Sequence, residues 1–378
     1  MKRGFYETII IGGGMAGLGC ARQLQDHKKE FLVISKDIGG RVVTSEDGKV
    51  NYGAMFILDN YYNIRKYVEK TRKLNIFQCE FHEKGKGYFL IKSLVYPLQL
   101  LKLILLTSKF KRRYDSFKKE CEFRSQKEVI ESDPYLYRLY MKKADEFIEE
   151  NKIREISKHF FSQPVYTCTF LPLSHLSAFE FMHVCLGLIV PISEFNFLKD
   201  KLIHDFEKKI IFGEVYKIKN GEKLKSVLTN NGEFKCKNLV IATPAPVAKK
   251  LIGLKRIKKP VKAYVFHVSG DSKRKYRSEF EIFNSNSKLI FIRKQIDSTY
   301  LVYATTDKLN FENYFTSFKI LKKLKWDPAF SLAGRELIES KRGKSVYVIG
   351  DHNVCGIEDA YITGLYAANQ IIKLKQKQ

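Results

Sequence analysis

A β-branched run, Thr8 to Ile11, leads straight into Gly12-Gly13-Gly14-Met15-Ala16-Gly17. A GxGxxG spacing that closes a strand and opens a helix constrains the chain more tightly than any other stretch. Gly12 allows the tight turn, Gly14 lets backbone approach a pyrophosphate, and Gly17 lets the helix pack closely on the strand. Met15 and Ala16 fall in the first helical turn, whose free N–H groups and positive dipole end favour an anion. Gly17 to Gln25 has helical character, and Phe31 to Ile34 is a second apolar run. Two such strands joined by a helix open a doubly wound parallel sheet, so an α/β, Rossmann-like dinucleotide-binding fold is expected.

The same fingerprint asks for an acidic residue at the end of the second strand, to hold a ribose through its hydroxyls. Here that position is Ser35, followed by Lys36. Ser35 offers a single hydrogen bond where a carboxylate would offer a clamp. The Ser-Lys pair also suits a 2′-phosphate, which would favour NADP, and Asp37 could substitute only from an unusually bent loop.

With 378 residues, the chain is long enough for two or three domains at roughly 150 residues each. A hydrophobic fraction of 44% marks it as globular. The formal net charge of +26 makes anionic partners plausible, but the lysines are scattered and the densest runs, Lys109 to Arg113 and Lys255 to Lys259, are short. Neither zinc-finger spacing nor an aromatic-basic RNA motif is present, so no dedicated nucleic-acid role is expected. Seven widely spaced cysteines form no CxxC pair, which argues against a metal site or a disulfide framework. No secretory h-region and no run of about 20 uncharged apolar residues is found, and a cytoplasmic setting is the expectation.

Past Asn60 the texture turns helical and charged. Tyr137 to Glu155 reads as amphipathic helix, with Leu139, Ala144, Phe147 and Ile148 at helical spacing. Val165 to Ile192 is strongly apolar and suits a pocket lining or a core. A β pattern returns from Ile210 to Ile241, stopped by Thr243-Pro244-Ala245-Pro246. Val261 to Val268, Leu289 to Arg293 and Tyr300 to Ala304 read as strands of another sheet. Val346 to Ile349 reads as a last buried strand and Glu358 to Lys373 as a last helix.

Further motifs flank this frame. Gly39-Gly40-Arg41 follows the second strand, and Tyr52-Gly53-Ala54-Met55 lies a dozen residues on. Near the end stand Ile349-Gly350-Asp351 and Glu358-Asp359-Ala360-Tyr361-Ile362-Thr363-Gly364. Together these resemble the flavin-containing amine oxidase, protoporphyrinogen oxidase and phytoene desaturase superfamily. The resemblance covers both termini and Ile210 to Leu251.

The resemblance implies non-covalent FAD. Gly40 and Arg41 would meet the pyrophosphate, Asp351 the ribityl hydroxyls, and the helix beginning near Glu358 and Ala360 would point its N-terminus at the flavin. It also places the strand of Val215 near the adenine, and the strand end at Ala242 in the family's internal strand-and-turn. The chain departs from the pattern at Ser35, in a loop before Gly39 that is about two residues short, and at Asp359, where a glycine is usual. The cofactor domain would then be assembled from residues 1–60, 195–254 and 331–378. A helical insertion (61–194) and a β-rich one (255–330) would form an α+β substrate domain.

No residue declares itself as a catalytic base. His352 and Cys355 would fall beside the flavin, His352 more simply as a surface loop residue. Lys262 sits roughly where some relatives place a lysine near the flavin, and Trp326 either walls a substrate pocket or packs. Leu94 to Thr107, followed by Lys109 to Arg113, is read first as a core or pocket-lining helix. The alternative is an interfacial helix with its basic end on anionic headgroups. The expected activity is oxidation of a C–N or C–C bond of an apolar or partly apolar small molecule by hydride transfer to FAD. A flavin-dependent mutase resembling UDP-galactopyranose mutase and a non-catalytic dinucleotide-binding protein stand as alternatives.

Overall fold

The computed structural model describes residues 2–83, 86–221, 224–273 and 278–373. The chain opens on β1 (Lys2–Ile11), α1 (Met15–Asp26) and β2 (Phe31–Ser35). Its helical middle includes α2 (Pro97–Glu120) and α3 (Ala178–Cys185). Strands β3 (Ile210–Phe212) and β4 (Gly232–Ile241) follow, and β5 (Val346–Val348) with α4 (Ile357–Ile372) closes the fold.

Three separate stretches of chain build one sheet. Its parallel part runs β3-β2-β1-β4-β5, with Thr8 opposite Phe31, Ile9 opposite Leu239, and Leu239 opposite Val346. The first half of β4 turns antiparallel against Lys225–Thr229, which carries Val215–Asn220 beyond it. Both faces of the parallel part are covered, which is why these strands read as unbroken apolar runs. Ile10, Val33 and Val240 pack under α1 and α4, while Ile9, Ile11, Ile34 and Ile241 face the other side towards Ala248 and Leu254. The two helices approach closely because Gly19 and Gly364 leave room for backbone: a methyl at Gly19 would stand 2.7 Å from Tyr361 O. The mixed α/β class with a GxGxxG parallel sheet is therefore the observed one.

A second sheet holds Phe315–Ala333, Lys259–Ser272, Tyr300–Ala304, Leu289–Lys294 and Phe280–Phe283, extended by Glu80–Glu83 and Lys86–Phe89. A small third sheet joins Phe56–Leu58, Ile192–Phe197 and Val68–Leu74. The helical middle differs in two ways from the periodicity. The Tyr137 to Glu155 stretch is two short helices, Pro134–Met141 and Ala144–Glu150, broken at Lys142-Lys143 where Ala144 N–H donates to Leu176 O instead. Leu94 to Thr107 is interior on one side only: Leu103 and Thr107 are buried, but Leu94, Leu98, Leu101 and Leu105 point to solvent. Among the described residues no helix is long and apolar enough to cross a membrane.

Candidate functional site

The loops leaving β1, β4 and β5 lie side by side at the carboxyl edge of the sheet. Ala242 N–H donates to Ile11 O at 2.8 Å, and Ile349 N–H to Ile241 O at 2.9 Å. Open α/β sheets place their ligand crevice at this edge.

The glycines of the first turn divide by what surrounds them. Gly12 has φ +112°, and a methyl there would collide with Ala242 O; one on Gly17 would collide with Gly12 O. Both glycines serve the fold. Gly14 is different: its φ of −77° suits any residue, and a methyl would meet nothing nearer than Gly40 Cα at 3.9 Å. Gly14 is the N-cap of α1, and neither a side-chain cap nor an acidic residue in the first turn satisfies the helix's free N–H groups. The chain itself does not need a glycine at this place, whereas an anion lying on the helix end does.

Gly40 brings the second loop onto the first, with Gly39 N–H donating to Gly13 O at 2.8 Å. Next to it Arg41 forks onto Asp351. Nη1 reaches Oδ2 and Nη2 reaches Oδ1, each at 2.8 Å, and Nη1 also donates to Ala329 O. Residues from opposite ends of the chain thus share one ion pair. Burial would lift the Asp351 carboxyl, but the guanidinium charge and its hydrogen bonds hold it below the usual range. Gly350, at φ +141°, makes the turn that presents Asp351, and its N–H donates to Thr363 Oγ1 at 3.0 Å. Ala54 N–H donates to Arg41 O, and Trp326 Nε1–H donates to Tyr52 O, so Trp326 packs over the Gly53 loop.

Ser35 faces inward. Its Oγ accepts Gly13 N–H at 2.8 Å and donates to Asp37 O at 2.7 Å. The short loop therefore lies directly on Gly13, and the Ser35 hydroxyl proton is spent on the protein's own backbone, where a fingerprint acid would face a ribose. Lys36 points to solvent and pairs with Glu214 at 2.8 Å, one residue before Val215. Met15 and Ala16 are buried in the first turn of α1.

At the start of α4 the side chains serve the protein itself. The wholly buried Glu358 accepts backbone N–H from Tyr62, Asn63 and Ile64 at 2.9 to 3.1 Å, so its carboxylate is spent on the protein's own backbone. Ala360 N–H closes the first turn on Gly356 O.

Neighbouring Asp359, a departure seen in the sequence, belongs to a buried polar cluster the sequence did not reveal. Tyr114 Oη–H donates to Asp359 Oδ1 at 2.6 Å and lies 3.0 Å from His183 Nε2. Burial pushes the Asp359 carboxyl up to about 6 against the Tyr114 hydrogen bond, and burial with the nearby Lys118 pushes His183 down to about 4. His183 is then neutral at pH 7, and its Nε2–H donates to Tyr114 Oη. Asp359 Oδ2 is buried and has no hydrogen-bond partner among the described residues. Only the long-range pairing of residues 114, 183 and 359 makes this cluster, and no local motif marks it.

That carboxyl has a measurable consequence. Its folded pKa of about 6 lies above the ordinary 3.8, so the folded state is penalised as pH rises through this interval and fully so above pH 6. Asp359→Asn keeps an acceptor for Tyr114 and removes the charge. It is expected to raise stability by up to about 3 kcal/mol at pH 8, with the gain vanishing towards pH 4. Thermal melts of both proteins across that range check it. An equal gain at all pH values would remove the charge as the cause.

The remaining candidates separate. His352 is no surface residue: it is buried, its Nε2–H donates to Ile349 O at 3.0 Å, and burial lowers its pKa. Burial likewise pushes the Cys355 thiol up, away from a reactive thiolate. Lys262 is 57% exposed and paired with Asp327 at 3.0 Å, out on the second sheet.

An uncapped glycine turn, a forked arginine and an aspartate thus meet at the carboxyl edge of the sheet, where open α/β sheets place their ligand crevice. Residues 10–71 match the model of an NAD(P)-binding Rossmann-like domain. Flavin-dependent L-tryptophan oxidase RebO from Lentzea aerocolonigenes is 34% identical over 96 residues, covering 22% of this chain and 20% of that enzyme. The flavin-containing amine oxidase A of Equus caballus is 28% identical over 99 residues, covering 25% of this chain and 18% of the relative. The matched segments thus span about a fifth of either relative. The fold extends further: a putrescine oxidase triple mutant superposes with TM-score 0.70 at 12% identity, covering 99% of this chain and all of that one. A fatty acid isomerase from P. acnes gives 0.69 at 13%, covering 98% of each. Over these segments the chain is similar in sequence to flavin-dependent oxidases, and its fold is that of the putrescine oxidase structure.

Proposed function

We propose that the chain binds FAD non-covalently and oxidises a C–N or C–C bond of an apolar or partly apolar small molecule. The observation carrying this reading is the open space at Gly14, on an uncapped helix end, beside an arginine that a phosphate could engage. The residues fit the group. The α1 N-terminus and Arg41 would hold the pyrophosphate, and Asp351, released from part of its bond to Arg41, would accept from ribityl hydroxyls. When bound, FAD supplies the hydride acceptor. The protein's own part is placement and exclusion of water. The Tyr52-to-Met55 loop, held by Trp326 and by Tyr303 Oη–H on Tyr52 O at 2.7 Å, would fix one side of the cofactor cleft.

The two curated relatives are named as a tryptophan oxidase and an amine oxidase, which makes amines the first substrates to try. Purified protein reconstituted with FAD is expected to show flavin absorbance, bleached anaerobically by at least one member of an amine panel. Failure to retain added FAD overturns the reading. Retention without bleaching by any donor overturns the oxidase and leaves a flavin protein without net redox chemistry.

A further inference from the structure

The first half of α2 and the turn before it carry apolar side chains on the outside of the protein. Leu98 is 81% exposed and Val95 72%, with Ile91, Leu94, Leu101 and Leu105 all above half. The opposite side of the helix is fixed in the core by Leu103, Phe110, Tyr114 and Phe117, none more than 1% exposed. The exposed leucines therefore cannot turn inward without unseating the helix. Solvated proteins leave single aliphatics outside, but six along one continuous path need a partner.

The same outer stripe changes character along its length. At 100° per residue, Leu98, Leu101 and Leu105 are followed on one line by Lys109 and Arg112, with Lys102 beside them. Lys102, Lys109 and Arg112 have no carboxylate within ion-pair distance among the described residues, and the chain as a whole carries +26. Leu98 lies about 10 Å along the axis from Leu105, and Lys109 follows about one turn further on. Lys102, between Leu101 and Leu105, has a stem long enough to carry its ammonium back towards the headgroups. This spacing matches a helix tip immersed by roughly 5–10 Å at the acyl boundary, with cations at the level of the phosphates. A second copy of this chain would cover the leucines as well, but two molecules each carrying +26 repel, whereas an anionic surface attracts.

We propose that this path is a membrane-docking surface for an anionic bilayer, with Ile91 to Leu105 entering the interface and Lys102, Lys109 and Arg112 meeting lipid phosphates. The Glu substitution series tests it without touching the candidate cofactor site. Full-length protein is centrifuged with phosphatidylcholine vesicles and with vesicles that also contain phosphatidylserine. Wild type is expected to pellet with the anionic vesicles and, at low salt, to bind them at least about tenfold better than the neutral ones. The triple variant Leu98→Glu/Leu101→Glu/Leu105→Glu should lose binding to both, and Lys102→Glu/Lys109→Glu/Arg112→Glu should lose the anionic preference. Thermal melts confirm that both variants fold, since every substituted side chain is exposed. Wild type remaining in the supernatant, or the leucine variant binding as wild type does, overturns the proposal. A dimer by analytical ultracentrifugation that the leucine variant abolishes, without vesicle binding, overturns it in favour of a second copy of the chain.

Discussion

Gly14→Val is expected to weaken FAD retention by at least about 100-fold while leaving the melting temperature of the cofactor-free protein within a degree or two. The backbone at this position is ordinary, and the nearest atom to an added methyl is Gly40 Cα at 3.9 Å, so valine costs the empty fold little. A pyrophosphate resting on the α1 N–H groups must approach to hydrogen-bond distance, and branched carbons would stand in its way. The size of the effect follows from losing two or more charge-assisted hydrogen bonds, each about 1.5–3 kcal/mol. Gly17→Val supplies the contrast: its side chain would meet Gly12 O, and the protein should lose stability whether or not cofactor is present. Fluorescence titration with FAD, beside melts of both variants, distinguishes the two glycines. Equal affinity for wild type and Gly14→Val would show that the pyrophosphate does not lie on this turn.

Lys258→Ala is expected to cost about 3–5 kcal/mol of stability, the usual consequence of stranding one partner of a buried ion pair. Lys258 Nζ donates to Glu180 Oε1 at 2.8 Å and to Asn353 O at 3.0 Å, and it lies 4.7 Å from the centre of the Tyr140 ring. The two side chains are 1% and 8% exposed. Burial alone would lower the ammonium pKa, but the Glu180 carboxylate beside it raises it, so Lys258 keeps its charge at neutral pH. Glu180 also closes a capping box with Ser177 at the start of α3, and Asn353 grips Ile338 through both ends of its amide. The bond thus ties the helical middle to the loop that presents Asp351. Replacing both partners, as Lys258→Met/Glu180→Gln, should cost clearly less than Lys258→Ala, because no bare charge is left inside. Urea unfolding of the three proteins measures this. A single variant within 1 kcal/mol of wild type would mean that the pair is hydrated in solution.

What the sequence disclosed and what it hid follow from the range of the interactions. Residues 8 to 17 are legible because the turn, the helix end and the close packing of Gly17 on Gly12 lie within a dozen positions. The terminal strand and helix were legible from β-branched and apolar runs of the same kind. In α2 apolar spacing locates helical stripes but does not say over which of them protein lies: Leu103 and Thr107 are core, as a core helix requires, while Leu98, Leu101 and Leu105 stand in solvent. His352 was read as exposed because a polar residue after a strand is usually in a loop, yet the Asp351 turn is roofed by α4 and by distant chain. The Tyr114-His183-Asp359 cluster and the Lys258-Glu180 pair join residues far apart in order, and one sequence contains no local trace of such pairings.

The ion pair between Arg41 and Asp351 joins residues 310 positions apart. Neither half of the proposed cradle is whole without the other, so the place for a dinucleotide is a product of tertiary folding and not of any one stretch of chain. Until a ligand arrives, the aspartate gives the arginine a counter-ion of its own, and no bare charge stands at the centre.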